Sequence, residues 1–91
     1  SGNINSSDWE QLVSQCKINL GDAKSLSKNK LEKELKSACK FGTTKIRNFI
    51  NKAIELGVLI ERPGNTWGFC NERAEEIKAK TEMNEDPTLP F

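Results

Sequence analysis

The chain has 91 residues, enough for one small domain, and its 35% hydrophobic and 30% charged residues are typical of a modest core under a well-solvated surface. It contains no histidine, and no pair of carboxylates, thiol–base pair or phosphate-binding loop is recognisable. We therefore predict that it is not an enzyme and has no catalytic residue, metal, cofactor or small-molecule substrate. No run of about 18 apolar residues is present, so no membrane contact is predicted.

The three cysteines are widely spaced and form no CxxC pair, which argues against a zinc site. Each lies at or beside an apolar position. We interpret Cys16, Cys39 and Cys70 as reduced, partly buried thiols of a cytoplasmic protein.

Charge is distributed unevenly along the chain. Residues 17–52 hold nine lysines and one arginine against three acids, whereas residues 71–91 hold six acids against three bases. A basic centre and an acidic end on one small chain predict two kinds of partner.

The first predicted helix follows a leader, residues 1–6, that we expect to be disordered. Ser7 and Glu10 have the spacing of a capping box at the helix start, and Gly21 ends the helix. Its apolar stripe consists of Trp9, Leu12, Val13, Cys16 and Leu20.

A second helix is predicted from about residue 27 to residue 39, with Ser27 as its N-cap. Gly42 follows it and is able to take a positive φ in the break before the next helix. The narrow apolar face of the second helix consists of Leu31, Leu35 and Ala38.

The third helix has the clearest periodicity and ends at Gly57, with Thr43 or Thr44 as its cap. Its apolar face consists of Ile46, Phe49, Ile50, Ala53, Ile54 and Leu56. The opposite, polar face consists of Thr44, Lys45, Arg47, Asn48, Asn51, Lys52 and Glu55.

A β-hairpin is predicted next, with strands at residues 58–62 and 66–70 joined by a turn at residues 63–65. Asn71 can cap a fourth helix that runs to about residue 83, although its apolar face consists only of Ala74 and Ile77. Residues 84–91 contain two prolines and are expected to form a disordered acidic tail.

Three helices followed by a hairpin resemble a winged helix-turn-helix domain over residues 7–70. The most similar stretch, residues 31–69, reads LEKELKSACKFGTTKIRNFINKAIELGVLIERPGNTWGF. The resemblance implies a mainly α fold with a small β-hairpin: a three-helix core, a two-stranded wing and an extra C-terminal helix at residues 71–83. It also implies that the third helix enters the major groove of DNA.

The polar face of the third helix carries side chains suited to that task. Arg47 can form two hydrogen bonds with guanine, and Asn48 or Asn51 can form two with adenine. Thr44 and Lys45 lie where a helix start meets phosphate. Further phosphate contacts are predicted for Lys24, Lys28, Lys30 and Lys52. The alternative is that this face is only solvated, as on any amphipathic helix.

The hairpin offers weaker candidates for contact with DNA. Arg62 could reach the minor groove, but a plain tight turn is the favoured interpretation. Trp67 could stack on a base. Its alternation with Phe69 favours a place in the core.

The end of the chain is similar to the C-terminal tip of bacterial single-stranded-DNA-binding proteins, in which acids precede an apolar residue, proline and phenylalanine. The resemblance implies that the tip docks replication and repair proteins. The matching residues are Glu85, Asp86, Leu89, Pro90 and Phe91. Alternatively, the segment is a plain linker, or it folds back on the basic face and competes with DNA.

The sequence therefore predicts a non-catalytic DNA-binding module in DNA replication or a related transaction. Such a module would act in the cytoplasm, at a bacterial nucleoid or its equivalent, on duplex or single strands. Its tail would recruit host replication or repair proteins. One alternative is a sequence-specific transcription regulator. The other is a protein-interaction winged helix from a larger helicase or initiator.

Overall fold

A computed structural model describes residues 4–21 and 24–82 of the chain. These residues form a mainly helical fold with a small antiparallel sheet, which confirms the predicted balance of elements. The elements in chain order are α1 (Ser6–Leu20), β1 (Ser25–Leu26), α2 (Lys28–Ala38), α3 (Thr43–Leu56), β2 (Leu59–Arg62), β3 (Thr66–Phe69) and α4 (Asn71–Glu82).

The sheet has three strands in the order β1-β3-β2, one strand more than the two-stranded hairpin that the sequence predicted. The hairpin itself is confirmed, with Leu59 opposite Phe69 and Arg62 opposite Thr66. The additional strand, β1, pairs Leu26 with Trp67 and has only two residues. Such a strand is too short to produce the alternation by which strands are recognised in sequence.

The start of α1 also differs from the prediction. Asn5 is the N-cap, and its side chain accepts a hydrogen bond from the Asp8 amide at 2.8 Å. The capping box at Ser7 was therefore wrong, and Ser6 belongs to the helix rather than to a leader. Ile4 packs against the core.

The start of α3 is a second correction. Gly42 is its N-cap, with φ −71° and no side-chain cap hydrogen bond, so the predicted threonine caps were wrong and Gly42 does not use the positive φ open to glycine. Thr43 is the first helical residue, and its hydroxyl oxygen accepts a hydrogen bond from Lys36 Nζ at 2.7 Å. Thr44 lies within the first turn.

Two predicted helix ends are confirmed. Ser27 caps α2 by accepting a hydrogen bond from the Lys30 amide at 3.3 Å. Gly57 ends α3 with φ 83°, the left-handed conformation that glycine adopts at helix C-termini.

The core forms where α1, α2 and α3 meet. The rings of Trp9 and Phe49 lie 5.0 Å apart at 59°, joining α1 to α3. In α2, Ala38 is exposed and Cys39 is buried instead, because the chain leaves the helix after Ala38 and turns inward. The other fully buried large side chains include Leu12, Leu20, Leu31, Leu35, Ile46, Val58 and Leu59.

α4 packs on this core through the two residues predicted for it, Ala74 and Ile77, both of which are buried. Arg73 Nε also donates a hydrogen bond to the Leu56 carbonyl at 2.6 Å. The narrow apolar face of α4 thus packs on the core beside α1, and the Arg73 hydrogen bond ties the start of α4 to the end of α3.

The three thiols are free, and Cys16 and Cys39 are buried while Cys70 is half-buried. Burial, and secondarily the charge of Cys39, raises the pKa of Cys16 to about 12. Burial also raises the pKa of Cys39.

Stability should consequently fall at alkaline pH. The unfolded chain releases the Cys16 proton near pH 9.0, whereas the fold retains it up to about pH 12, so this contribution is present below pH 9.0 and is lost across that interval. We expect a slope of up to about 1.4 kcal/mol per pH unit from this thiol. Urea unfolding at several pH values would measure how the free energy of unfolding declines with pH. Compared with the wild-type protein, the decline should be shallower for Cys16→Ala and unchanged for Cys70→Ala. Parallel declines for all three proteins would contradict the assignment.

Candidate nucleic-acid interface

A shallow groove runs between the first turns of α2 and the outward side of α3. Its volume is about 260 Å³, and it is lined by Lys28, Asn29, Glu32, Arg47, Ile50 and Asn51. The helix start contributes backbone amides that have no partner within the helix, together with the positive end of the helix dipole. Polar donors from two helices therefore converge on one concave surface.

The groove brings together Lys28, Arg47 and Asn51, three of the residues that were predicted from the sequence to contact DNA. It also contains Asn29 and Glu32, which sequence reasoning missed. Glu32 lies four positions after Lys28 and so occupies the same side of α2, a helical signal that was present in the sequence.

Arg47 is held by an ion pair across the groove. Its Nε lies 2.6 Å from Glu32 Oε1, and its side chain is 66% exposed while that of Glu32 is 21% exposed. The hydrogen bond to Glu32, and then the charge of Glu32, raises the pKa of Arg47. The Arg47 side chain therefore points outward, while its Nε is held in place by Glu32 of α2.

Lys45 lies on a different flank of α3. Its Nζ is 2.8 Å from Asp8 Oδ2, with side chains 28% and 16% exposed, and it lies 5.1 Å from the centre of the Phe41 ring. At about 100° per residue, Lys45 and Arg47 are about 160° apart around the helix. Lys45 thus connects α3 to α1 and does not face the groove.

Lys52 shares the flank of Lys45, and its Nζ lies 3.3 Å from Glu55 Oε2. Between the two flanks, Thr44, Asn48 and Asn51 are exposed. The centre of the outward face is therefore made of neutral polar side chains, with an ion-paired cation on each side.

Three of the lysines predicted to contact phosphate, Lys24, Lys28 and Lys30, are exposed, whereas Lys45 and Lys52 are partly buried. Lys24 precedes β1, and Lys28 and Lys30 lie in the first turn of α2. Lys30 is not part of the groove, because two helical steps turn it about 200° from Lys28. Lys28 is therefore the lysine best placed beside Arg47.

Arg62 lies at the far end of the hairpin. It is exposed, but its side chain folds over Gly68, where a Cβ would lie 3.0 Å from Arg62 Nε. The adjoining turn is tight, with positive φ at Gly64 and Asn65. The guanidinium is therefore drawn back over β3. Trp67 on the same strand is half-buried and packs against the core.

The predicted tail residues Glu85, Asp86, Leu89, Pro90 and Phe91 lie outside the described residues, as does residue 83, where the fourth helix was predicted to end. Within residues 4–21 and 24–82, no helix has the length and apolar character needed to cross a bilayer. The same residues contain no group of side chains that could hold a metal ion.

No protein-family model matches this chain, and neither a curated protein nor a solved structure shows significant similarity to it.

Proposed function

We propose that this chain is a non-catalytic winged helix-turn-helix module that binds DNA through α3 and the start of α2. The observation that carries the proposal is the groove in which Lys28, Arg47 and Asn51 meet. These residues come from two helices, and each has hydrogen-bonding chemistry that suits DNA.

The dimensions of α3 support this role. Its 14 residues span about 21 Å, and the major groove, about 12 Å wide, accepts a helix of this kind. The exposed amides of Asn48 and Asn51 are of the type that pairs with adenine. The buried face of α3, with Phe49 at its centre, holds the helix rigidly while the polar face points outward.

The start of α2 supplies the complementary phosphate site. Helix N-termini attract anions through their free amides and dipole, and Lys28 adds a full charge beside them. A phosphate bound here would orient the protein on the duplex without reading sequence.

The intramolecular ion pairs set the expected strength of binding. Lys45, Arg47 and Lys52 are each paired with an acid. Long-range attraction to phosphate therefore comes mainly from the exposed lysines just before α2 and in its first half, Lys24, Lys28, Lys30 and Lys33. About four phosphate contacts correspond to a salt slope of about −3 to −4. We propose moderate, salt-sensitive affinity.

A role in replication is the further part of the proposal. Residues 84–91, with acids ahead of Leu89, Pro90 and Phe91, would dock a replication or repair protein by seating an apolar side chain in a pocket with a basic rim. The folded domain would hold the DNA while the tail recruits the partner.

Titration of a labelled duplex and a labelled single strand tests the DNA-binding proposal. Between about 50 and about 200 mM salt, we expect duplex affinity to fall about 60- to 250-fold, as the slope requires. Fluorescence anisotropy would measure both probes, with the full chain and with a variant lacking residues 84–91. Absence of duplex binding at the lower salt concentration would refute the proposal. Tighter binding by the shortened chain would show that the tail competes with DNA.

A second candidate function, docking of a protein, is favoured by another groove. It lies between α1, the end of β3 and α4, has a volume of about 210 Å³ and has Trp9, Val13, Phe69 and Ala74 among its apolar lining. Charged residues, including Lys17 and Lys78, also line it. An apolar surface with charged residues is typical of peptide-binding sites.

A further inference from the structure

We propose that Glu32 is a positioning residue that fixes the Arg47 guanidinium so that its two terminal amino groups read guanine in the major groove. The inference rests on the proposed DNA-binding function and assigns a base specificity to it.

The first step is the geometry of the ion pair. The Glu32 carboxylate accepts a hydrogen bond from Nε, the inner nitrogen of the guanidinium, at 2.6 Å. The guanidinium is planar, so a partner fixed at Nε also fixes the direction of the Nη1 and Nη2 donors. Glu32 is the more buried partner, and the terminal edge of Arg47 therefore faces outward.

The second step is the match to guanine. The O6 and N7 acceptors of guanine lie side by side in the major groove and accept two parallel hydrogen bonds from an arginine. A long, unrestrained side chain loses conformational entropy when it forms such a pair. Arg47 has lost part of that freedom before it meets DNA, because it is already held across the groove.

The third step concerns charge. The Arg47–Glu32 pair is neutral overall, and a phosphate approaching Arg47 would also meet the carboxylate of Glu32. Guanine is an uncharged acceptor and is repelled much less. The ion pair therefore favours recognition of a nucleobase by Arg47. Lys28, which lies one helical turn before Glu32 on α2, remains available for phosphate.

Selection of binding sites from a randomised duplex pool tests this inference. We expect the wild-type protein to select guanine at one position by about fivefold or more, the lower range for a bidentate pair. Replacement of that guanine by 7-deazaguanine, which lacks the N7 acceptor, should weaken binding similarly. With Glu32→Ala, the preference should fall below about twofold, while affinity for the randomised pool rises because a negative charge is lost.

Two further variants separate positioning from charge. Glu34→Ala removes the same charge from α2 at a position outside the groove, and it should retain the guanine preference. Glu32→Gln keeps an oxygen that can accept from Nε, and it should retain more of the preference than Glu32→Ala. Similar thermal unfolding of the two alanine variants would exclude a general loss of structure.

The outcomes distinguish this inference from the function on which it rests. If the wild-type protein binds no duplex at low salt, the proposed function fails. If it binds but selects no guanine, or if Glu32→Ala retains the full preference and the 7-deazaguanine effect, the positioning role is wrong while DNA binding stands.

Discussion

Truncation of Phe49 to alanine is expected to lower the free energy of unfolding by about 3–5 kcal/mol, the usual range for removal of a buried phenyl ring. Phe49 is fully buried at the middle of α3, and its ring contacts that of Trp9 on α1. The variant would lose both the transfer free energy of the ring and the contacts around the resulting cavity. Because small domains are stable by only about 5–15 kcal/mol, the variant would lose a substantial share of its stability and would unfold at a clearly lower urea concentration.

Urea unfolding followed by circular dichroism would measure this effect. Ile18→Ala is the control, because Ile18 is a large apolar side chain on α1 that is 75% exposed, and its removal should change stability by no more than about 0.5 kcal/mol. If Phe49→Ala and Ile18→Ala had similar midpoints, α3 would not be held by the core described above.

The helices could be predicted from the sequence because each buries a stripe that recurs with the helical period. The predicted stripe was sufficient to place α1: Trp9, Leu12, Cys16 and Leu20 are buried, and Val13 is half-buried against the core. The first residue of a helix depends on local hydrogen bonds instead, and several neighbouring residues can make them. Asn5, Ser6 and Ser7 are all acceptable caps, and only the structure shows that Asn5 is used.

The candidate site could be predicted only in part, for a related reason. Helical periodicity identified the polar face of α3, on which Arg47 and Asn51 lie. It could not show that Lys45 pairs with Asp8, which is 37 positions away in sequence. Nor could it show that Glu32 faces Arg47, since that contact depends on how α2 and α3 pack.

These contacts divide the polar face of α3 into parts with different tasks. On one flank, Lys45 ties α3 to Asp8 of α1, and Lys52 pairs with Glu55 of α3 itself. The flank with Arg47 opens onto the groove at the start of α2. A test of DNA binding should therefore alter the groove and leave the Lys45 flank intact, because loss of Lys45 would also weaken the contact between α1 and α3.

The combined variant Lys28→Ala and Arg47→Ala is accordingly expected to lower duplex affinity by about 100-fold or more at low salt. Each residue would contribute a charge-assisted hydrogen bond of about 1.5–3 kcal/mol, Lys28 to phosphate and Arg47 to a base. The salt slope should decrease by only about 1, since Lys28 alone releases a counterion in this arrangement. Both side chains are exposed, so the fold should be retained.

The matched control removes two positive charges from the groove between α1 and α4, with Lys17→Ala and Lys78→Ala. Both double variants have the same net charge, so a purely electrostatic attraction of the whole protein would weaken both by a similar factor. Binding through the groove between α2 and α3 requires a much larger loss for Lys28→Ala and Arg47→Ala. Equal losses, measured by anisotropy on the same duplex, would mean that this groove is not the DNA-binding surface. Protein docking at the apolar groove between α1 and α4 would then become the leading candidate function.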